Sequence, residues 1–239
     1  GVDTEDIRRK ATDEGSDERW ERFRSRYDVG EDVRVGVGVD RLDYTKGIPQ
    51  RLDAIEQLFE AHPEWREKFT FVQVGSRSRS RIPAYREIQT DVVDTVNRIN
   101  TRFRTDDWQP IVYTTDRLSN EDLYTLYRNA DVAVVSPIRD GMNLVAQEFV
   151  AAQAEGDGVL VLSDQTGAHD LFEDSVVSIT PQDTEGFAGS LDEALTMPAS
   201  ERRDRMRALA RRCWGTDVSN WVDDVLGSGA DVRERGLVD

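Results

Sequence analysis

The sequence predicts an α/β fold, a doubly wound parallel sheet of Rossmann-like type, and three observations carry that prediction. Short apolar runs read as strands six times between residues 33 and 179. Longer segments with helical patterning separate them, and helical crossovers join strands in parallel. Polar loops rich in Arg, Asp and Gly follow three of the runs, at the strand ends where such sheets collect ligands.

Taken in order, the chain opens with helical signals. In GVDTEDIRRK, Asp3 or Thr4 can cap a helix, and DERWERFRSRY sets Trp20, Phe23 and Tyr27 at helical spacing. Strands are expected at about Val33 to Val39, Phe69 to Val74, Pro110 to Thr114, Val132 to Ser136, Val159 to Leu162 and Val176 to Ile179. The helices between them fall near Ile48 to Ala61, Ala84 to Phe103, Asn120 to Asn129, Asn143 to Ala154 and His169 to Phe172. The last sixty residues or so read as a helical extension, at Asp183 to Thr196, Ala199 to Cys213 and Thr216 to Leu226. No internal repeat and no Pro/Gly/Ser linker divides the chain.

Composition narrows the function classes. Hydrophobic residues make up 38% of the 239, enough for a globular core, and nothing approaches the roughly 20 apolar residues of a membrane span. No signal peptide is visible. The lone Cys213 rules out an internal disulfide, and His62 and His169 are too few and too far apart in sequence for a His-based metal site. A reducing cytoplasm is the expected compartment. The net charge of −16 is spread along the chain and argues against nucleic acid, whose phosphates would be repelled. Lys10, Lys46 and Lys68 are the only lysines. An acidic surface that uses arginine in place of lysine suggests a halophilic protein, kept soluble where salt screens charge.

The three polar loops are VDRLDYTKG, GSRSRSR and the turn in SPIRDGMNLVAQEFVAAQ. If they converge, Arg41, Lys46, Arg79 and Arg139 surround one crevice in an acidic protein, which makes a phosphate pocket. Gly36 and Gly38 do not open a dinucleotide fingerprint, because Arg41 stands where its third glycine belongs. Arg41 and Lys46 suit a diphosphate, one as a bidentate donor and one as a point charge, the alternative for Arg41 being a surface salt bridge to Asp40 or Asp43. The Arg/Ser tract reads as an anion-binding loop rather than an RNA-binding segment. Gly141 to Asn143 open a helix whose free N–H groups and dipole form an anion site. Asp140 and Asn143 each have an alternative role as the cap of that helix. Glu148 lies roughly 8 Å further along the axis, placed for a ribose or for a salt bridge.

Together VDRLDYTKG, the Ser-Arg before Ala84-Tyr85 and RDGMNLVAQEFVAAQ followed by VLVLS resemble the trehalose-6-phosphate synthases, retaining glycosyltransferases of the GT-B fold. The resemblance runs from about Val33 to Leu226. It implies transfer of glucose from a nucleoside diphosphate glucose, usually UDP-glucose, to glucose 6-phosphate, with no metal or other cofactor. It implies that Arg41 and Lys46 clamp the donor diphosphate. Asp140, with the amides of Gly141 and Met142, would hold the transferred sugar. Asn143, Leu144 and Val145 would meet the phosphates, Glu148 the ribose, and Val74, Leu118 and Leu123 the base. Arg79 would reach the acceptor phosphate, although a proline common before that Ser-Arg in relatives is absent here. The family is roughly twice this length. Residues 1–30 therefore resemble an interdomain connector and helix, and residues 31–239 the C-terminal, nucleotide-sugar-binding half with its crossover helices. The acceptor-binding N-terminal half becomes an expected partner. The segment around Trp214, Trp221, Val222 and Val225, deprived of that half, is expected to favour self-association.

Overall fold

The structure is a computed structural model and describes residues 1–76, 83–153 and 156–215. The strands are β1 (Arg34–Arg41), β2 (Phe69–Ser76), β3 (Ile111–Thr114), β4 (Val132–Val135), β5 (Val159–Ser163) and β6 (Val177–Ile179). They form one sheet ordered β3-β2-β1-β4-β5-β6, parallel throughout. The helices are α1 (Thr4–Ala11), α2 (Ser16–Tyr27), α3 (Ile48–Ala61), α4 (Pro83–Phe103), α5 (Asn120–Asn129), α6 (Leu144–Ala152), α7 (Gly167–Phe172), α8 (Thr184–Thr196) and α9 (Ala199–Gly215).

Period-two alternation in the strands feeds two separate cores. Val35, Val37, Val72 and Val74 point into one, beneath α1, α5, α6, α7 and α9. Phe69, Phe71, Val132 and Val134 point into the other, beneath α3, α4 and α8. A sheet buried on both faces is the doubly wound arrangement that strand and helix alternation predicts. The two leading helices belong to the first core: Ile7 and Ala11 are buried in it, and Trp20, Phe23 and Tyr27 pack against it as a ladder of rings. Asp3 caps α1, its carboxylate accepting the Asp6 N–H at 2.9 Å.

The strand order makes the crevice. The chain builds outward from β1 to β2 and β3, then crosses back to place β4 on the other side of β1 and builds outward again. Neighbouring loops at the carboxyl ends of β1 and β4 thus leave in opposite directions, which opens a ligand crevice between them. The ladder there is short: β1 registers with β2 over eight residue pairs, but with β4 only at Gly36 with Val132 and Val37 with Ala133. The VDRLDYTKG and RDGMN loops both rise from this point.

Two boundaries differ from expectation with consequences for the site. β1 runs two residues further, because the Leu42 N–H continues the pattern to the Ser76 carbonyl at 2.9 Å, so Arg41 ends a strand instead of sitting in a loop. α6 begins at Leu144, because Asn143 stands at φ +61° and cannot itself be helical. Arg79, the rest of the Arg/Ser tract beyond Ser76, and the Thr216 to Leu226 helix with Trp221, Val222 and Val225 lie outside the described residues.

Candidate functional site

The first loop is shaped by its own side chains. The Asp43 carboxylate accepts from the N–H and the hydroxyl of Thr45, both at 3.0 Å, and winds Tyr44–Lys46 into a single tight turn. Gly47 follows at φ +63°, where a Cβ would stand 2.0 Å from the Ser136 carbonyl oxygen, so this position requires glycine twice over. The Ile138 N–H bonds to the Thr45 carbonyl at 2.8 Å and fastens the first loop to the third. Lys46 is thereby aimed across the switch point.

Its ammonium donates to Asp140 Oδ2 at 2.5 Å, and both side chains are mostly buried. The same oxygen accepts from Asn143 Nδ2 at 3.2 Å. Asp140 is held from behind as well: its N–H bonds to the Gln165 carbonyl, and its carbonyl accepts the Gly167 N–H at 3.1 Å. Burial raises the Asp140 carboxyl, but Lys46, the Met142 N–H and Asn143 outweigh it and hold the group below its ordinary value. Asp140 is thus a fixed carboxylate. The helix cap is Asn143, whose side-chain oxygen takes the Ala146 N–H at 3.3 Å. Of the two capping alternatives, the structure shows the one at Asn143.

On either side of the cap, Gly141, Met142 and Leu144 are exposed, and Val145 is half-buried. Glu148 lies one turn along α6, partly buried, with no Lys or Arg pairing to it among the described residues. Burial raises its carboxyl above the ordinary value, and the neighbouring Tyr127 hydroxyl opposes that only in part. A half-desolvated carboxylate with no cationic partner is one that a ligand can use. Val74, Leu118 and Leu123 all border the same core, Val74 within it and the two leucines against its edge. Arg41 is more than half exposed, 3.9 Å from Asp43, and Arg139 is exposed.

A second set of residues lies directly beneath, and the loop motifs did not reveal it. Arg51 of α3 has no exposed surface, and its guanidinium donates to Asp40 Oδ2 at 2.7 Å, Gln73 Oε1 at 2.9 Å and Ser136 Oγ at 3.0 Å. The available signals were an arginine on the apolar stripe Ile48, Leu52, Ile55 and a lone glutamine inside FTFVQVG.

Ligand-type side chains outside the crevice gather in one group among the described residues, His62, Glu64 and Asp192. It follows the C-terminus of α3 and so sits at the opposite edge of the sheet, and Asp192 already accepts the Trp65 indole N–H at 2.8 Å.

The profile of glycosyltransferase family 20 matches residues 1–228. The chain belongs to that family. It is 40% identical over 191 residues to the Dictyostelium discoideum alpha,alpha-trehalose-phosphate synthase [UDP-forming] A, covering 80% of this chain and 26% of that one. The Burkholderia xenovorans alpha,alpha-trehalose-phosphate synthase (UDP-forming), solved in complex with glucose-6-phosphate, superposes with a TM-score of 0.89 at 35% identity, covering 95% of this chain and 50% of its own. An E. coli structure bound with UDP-2-fluoro glucose gives 0.88 at 32% identity, covering 95% and 50%. This family 20 chain therefore spans about half the length of its solved relatives. The GT-B resemblance seen in the motifs holds for the fold of the described residues, and none of their helices is long and apolar enough to cross a membrane.

Proposed function

We propose that this chain is the donor-binding half of a retaining glycosyltransferase that moves glucose from a nucleoside diphosphate glucose, UDP-glucose first among them, to glucose 6-phosphate, forming trehalose 6-phosphate. The observation that carries the reading is the contact between Lys46 and Asp140, which joins the first and third loops across the switch point. It sets a cation where a leaving diphosphate needs one, beside a carboxylate positioned for the hydroxyls of the transferred sugar. The helix start at Asn143, Leu144 and Val145 adds N–H groups toward the phosphates, and Glu148 supplies the ribose acceptor. Arg41, exposed at the end of β1, swings from Asp43 to the diphosphate on this reading, and Arg79 serves the acceptor phosphate.

The reaction this arrangement supports is a front-face displacement. The bond from the anomeric carbon to the leaving phosphate oxygen breaks, the bond to the acceptor hydroxyl forms on the same face, and the hydroxyl proton passes to that phosphate oxygen. Charge builds on the diphosphate, and Lys46 with Arg41 stabilises it there, so the protein contributes positioning and preorganised positive charge without a nucleophile of its own. The proposal requires no cofactor. Relatives described as UDP-forming, one of them with glucose-6-phosphate bound, and an E. coli relative bound with UDP-2-fluoro glucose support both the donor and the acceptor.

Calorimetric titration of the chain with UDP-, GDP- and ADP-glucose tests the reading. One of the three is expected to bind at micromolar to millimolar concentration, and Lys46→Ala to cost about 2–4 kcal/mol, because it also strands Asp140 without its cation. A folded chain that binds none of them would refute the site assignment.

A further inference from the structure

The buried arginine beneath the crevice belongs to no step of the reaction above. As a stability device it is a poor choice. A buried ion pair is commonly matched or bettered by apolar residues of the same volume, and here one terminal nitrogen of the guanidinium, Nη2, is buried with no hydrogen-bond partner. Burial also raises the carboxyl of Asp40, against the pull of Arg51. Both costs fall at the same spot, under the switch point.

The connections show what it achieves. Arg51 Nη1 holds Asp40, the residue before Arg41 on β1, and Gln73 on β2. Arg51 Nε holds the Ser136 hydroxyl, which opens the loop leading to Asp140. That hydroxyl in turn donates to the carbonyl of Gly47 at 3.2 Å, the residue after Lys46. Continuing the β1–β4 register three residues past Val37 and Ala133 places Asp40 opposite Ser136, beyond the last registered pair. The guanidinium therefore substitutes for the missing ladder where the two strands part. It sets the spacing of the loops that bring Lys46 and Asp140 together.

We infer that Arg51 is the positioning residue of the leaving-group pocket, acting through Ser136 and Gly47 on Lys46 and through Asp40 on Arg41. The inference rests on the donor reading above, since it concerns how the diphosphate is gripped. It separates from a merely structural role by selectivity. Lys46 and Arg41 serve the second phosphate, whereas Glu148 and the base-side leucines serve the nucleoside, so a misplaced clamp weakens the diphosphate more than the monophosphate. A general loosening of the fold weakens both alike.

The experiment measures Kd for UDP and UMP, or for the corresponding pair of whichever base the wild-type chain binds, in wild type, Arg51→Met and Ser136→Ala. Circular dichroism establishes that each variant is folded. The preference for diphosphate over monophosphate is expected to fall about tenfold in Arg51→Met and severalfold in Ser136→Ala. Should Arg51→Met fail to fold, Ser136→Ala decides alone, because it removes one hydroxyl and leaves the ion pair in place. An unchanged ratio in the folded variant overturns the inference and leaves the donor reading standing. Absence of binding to any nucleotide by the folded wild-type chain overturns both.

Discussion

Glu148 shows at a single residue what a half-buried carboxylate without a cation costs the fold. Its carboxyl is half-buried on α6 without a cation, and burial holds it above the ordinary 4.5. A folded-state pKa above the unfolded one means that the ionised group costs stability at neutral pH. That cost disappears as the pH falls through the folded value and below the ordinary one. Glu148→Gln is therefore expected to raise the melting temperature at pH 7 by a few degrees. The gain should shrink on acidification and vanish below about pH 4, where both forms are neutral. The same variant should weaken nucleotide binding by about 1.5–3 kcal/mol, the scale of hydrogen bonds to a charged group. Thermal melts from about pH 3 to 8 beside a titration with UDP check both halves. A variant that lost stability at pH 7 would show that Glu148 serves the fold and not a ligand.

Among the elements, β1 carries the most consequence, and it also shows what could be read from the chain. Val35 and Val37 face one core by simple alternation, and the apolar runs and helix periods placed every described strand within a few residues. The Lys46 and Asp140 loops stood out because charged residues and glycines interrupt apolar patterning there. Arg51 did not, because a single arginine on a helix is ordinarily a solvated one, and its burial depends on Gly38, Asp40, Gln73 and Ser136 meeting from two strands and the loop after β4. Long-range pairing of that kind leaves no local period. The same physics explains why a cap was expected at either Asp140 or Asn143: both side chains can cap, and only the Lys46 contact, 94 residues away in sequence, decides between them. Gly38 provides the space for the guanidinium, since a Cβ there would lie 2.3 Å from Arg51 Nη1 and 2.9 Å from the Phe71 ring. Gly38→Ala should destabilise the chain by about 1–3 kcal/mol, the usual result of overpacking a filled interior. Urea melts would register this as a lower midpoint at unchanged slope, and a neutral result would mean that the guanidinium can move aside.

At the scale of the whole molecule, charge and length make separate demands. A net charge of −16 repels itself most at low ionic strength, so the melting temperature should rise steadily between about 0.1 M and 2 M KCl, as screening shortens to a few ångströms. A flat or falling curve would remove the halophilic reading. Length matters more for chemistry. The described residues place the Lys46 and Asp140 loops along one edge of the sheet, and that edge also exposes Tyr44 by 58%, Met142 by 52% and Leu144 by 45%. Large apolar side chains concentrated beside a charged crevice are unfavourable in water, and on the proposed reading the other half of the enzyme covers them. In solved relatives of twice the length the remaining half of the chain is present, and glucose-6-phosphate is bound in one of them. Donor binding and turnover should therefore come apart in this chain. Titration should show nucleotide-sugar binding, while incubation with UDP-glucose and glucose 6-phosphate should release no UDP until the N-terminal half of a family 20 enzyme is supplied. Tyr44→Ser should leave the first measurement nearly unchanged and weaken the reconstituted second. Release of UDP by the chain alone, dependent on glucose 6-phosphate, would mean that this half binds the acceptor too, and the division of labour proposed here would be wrong.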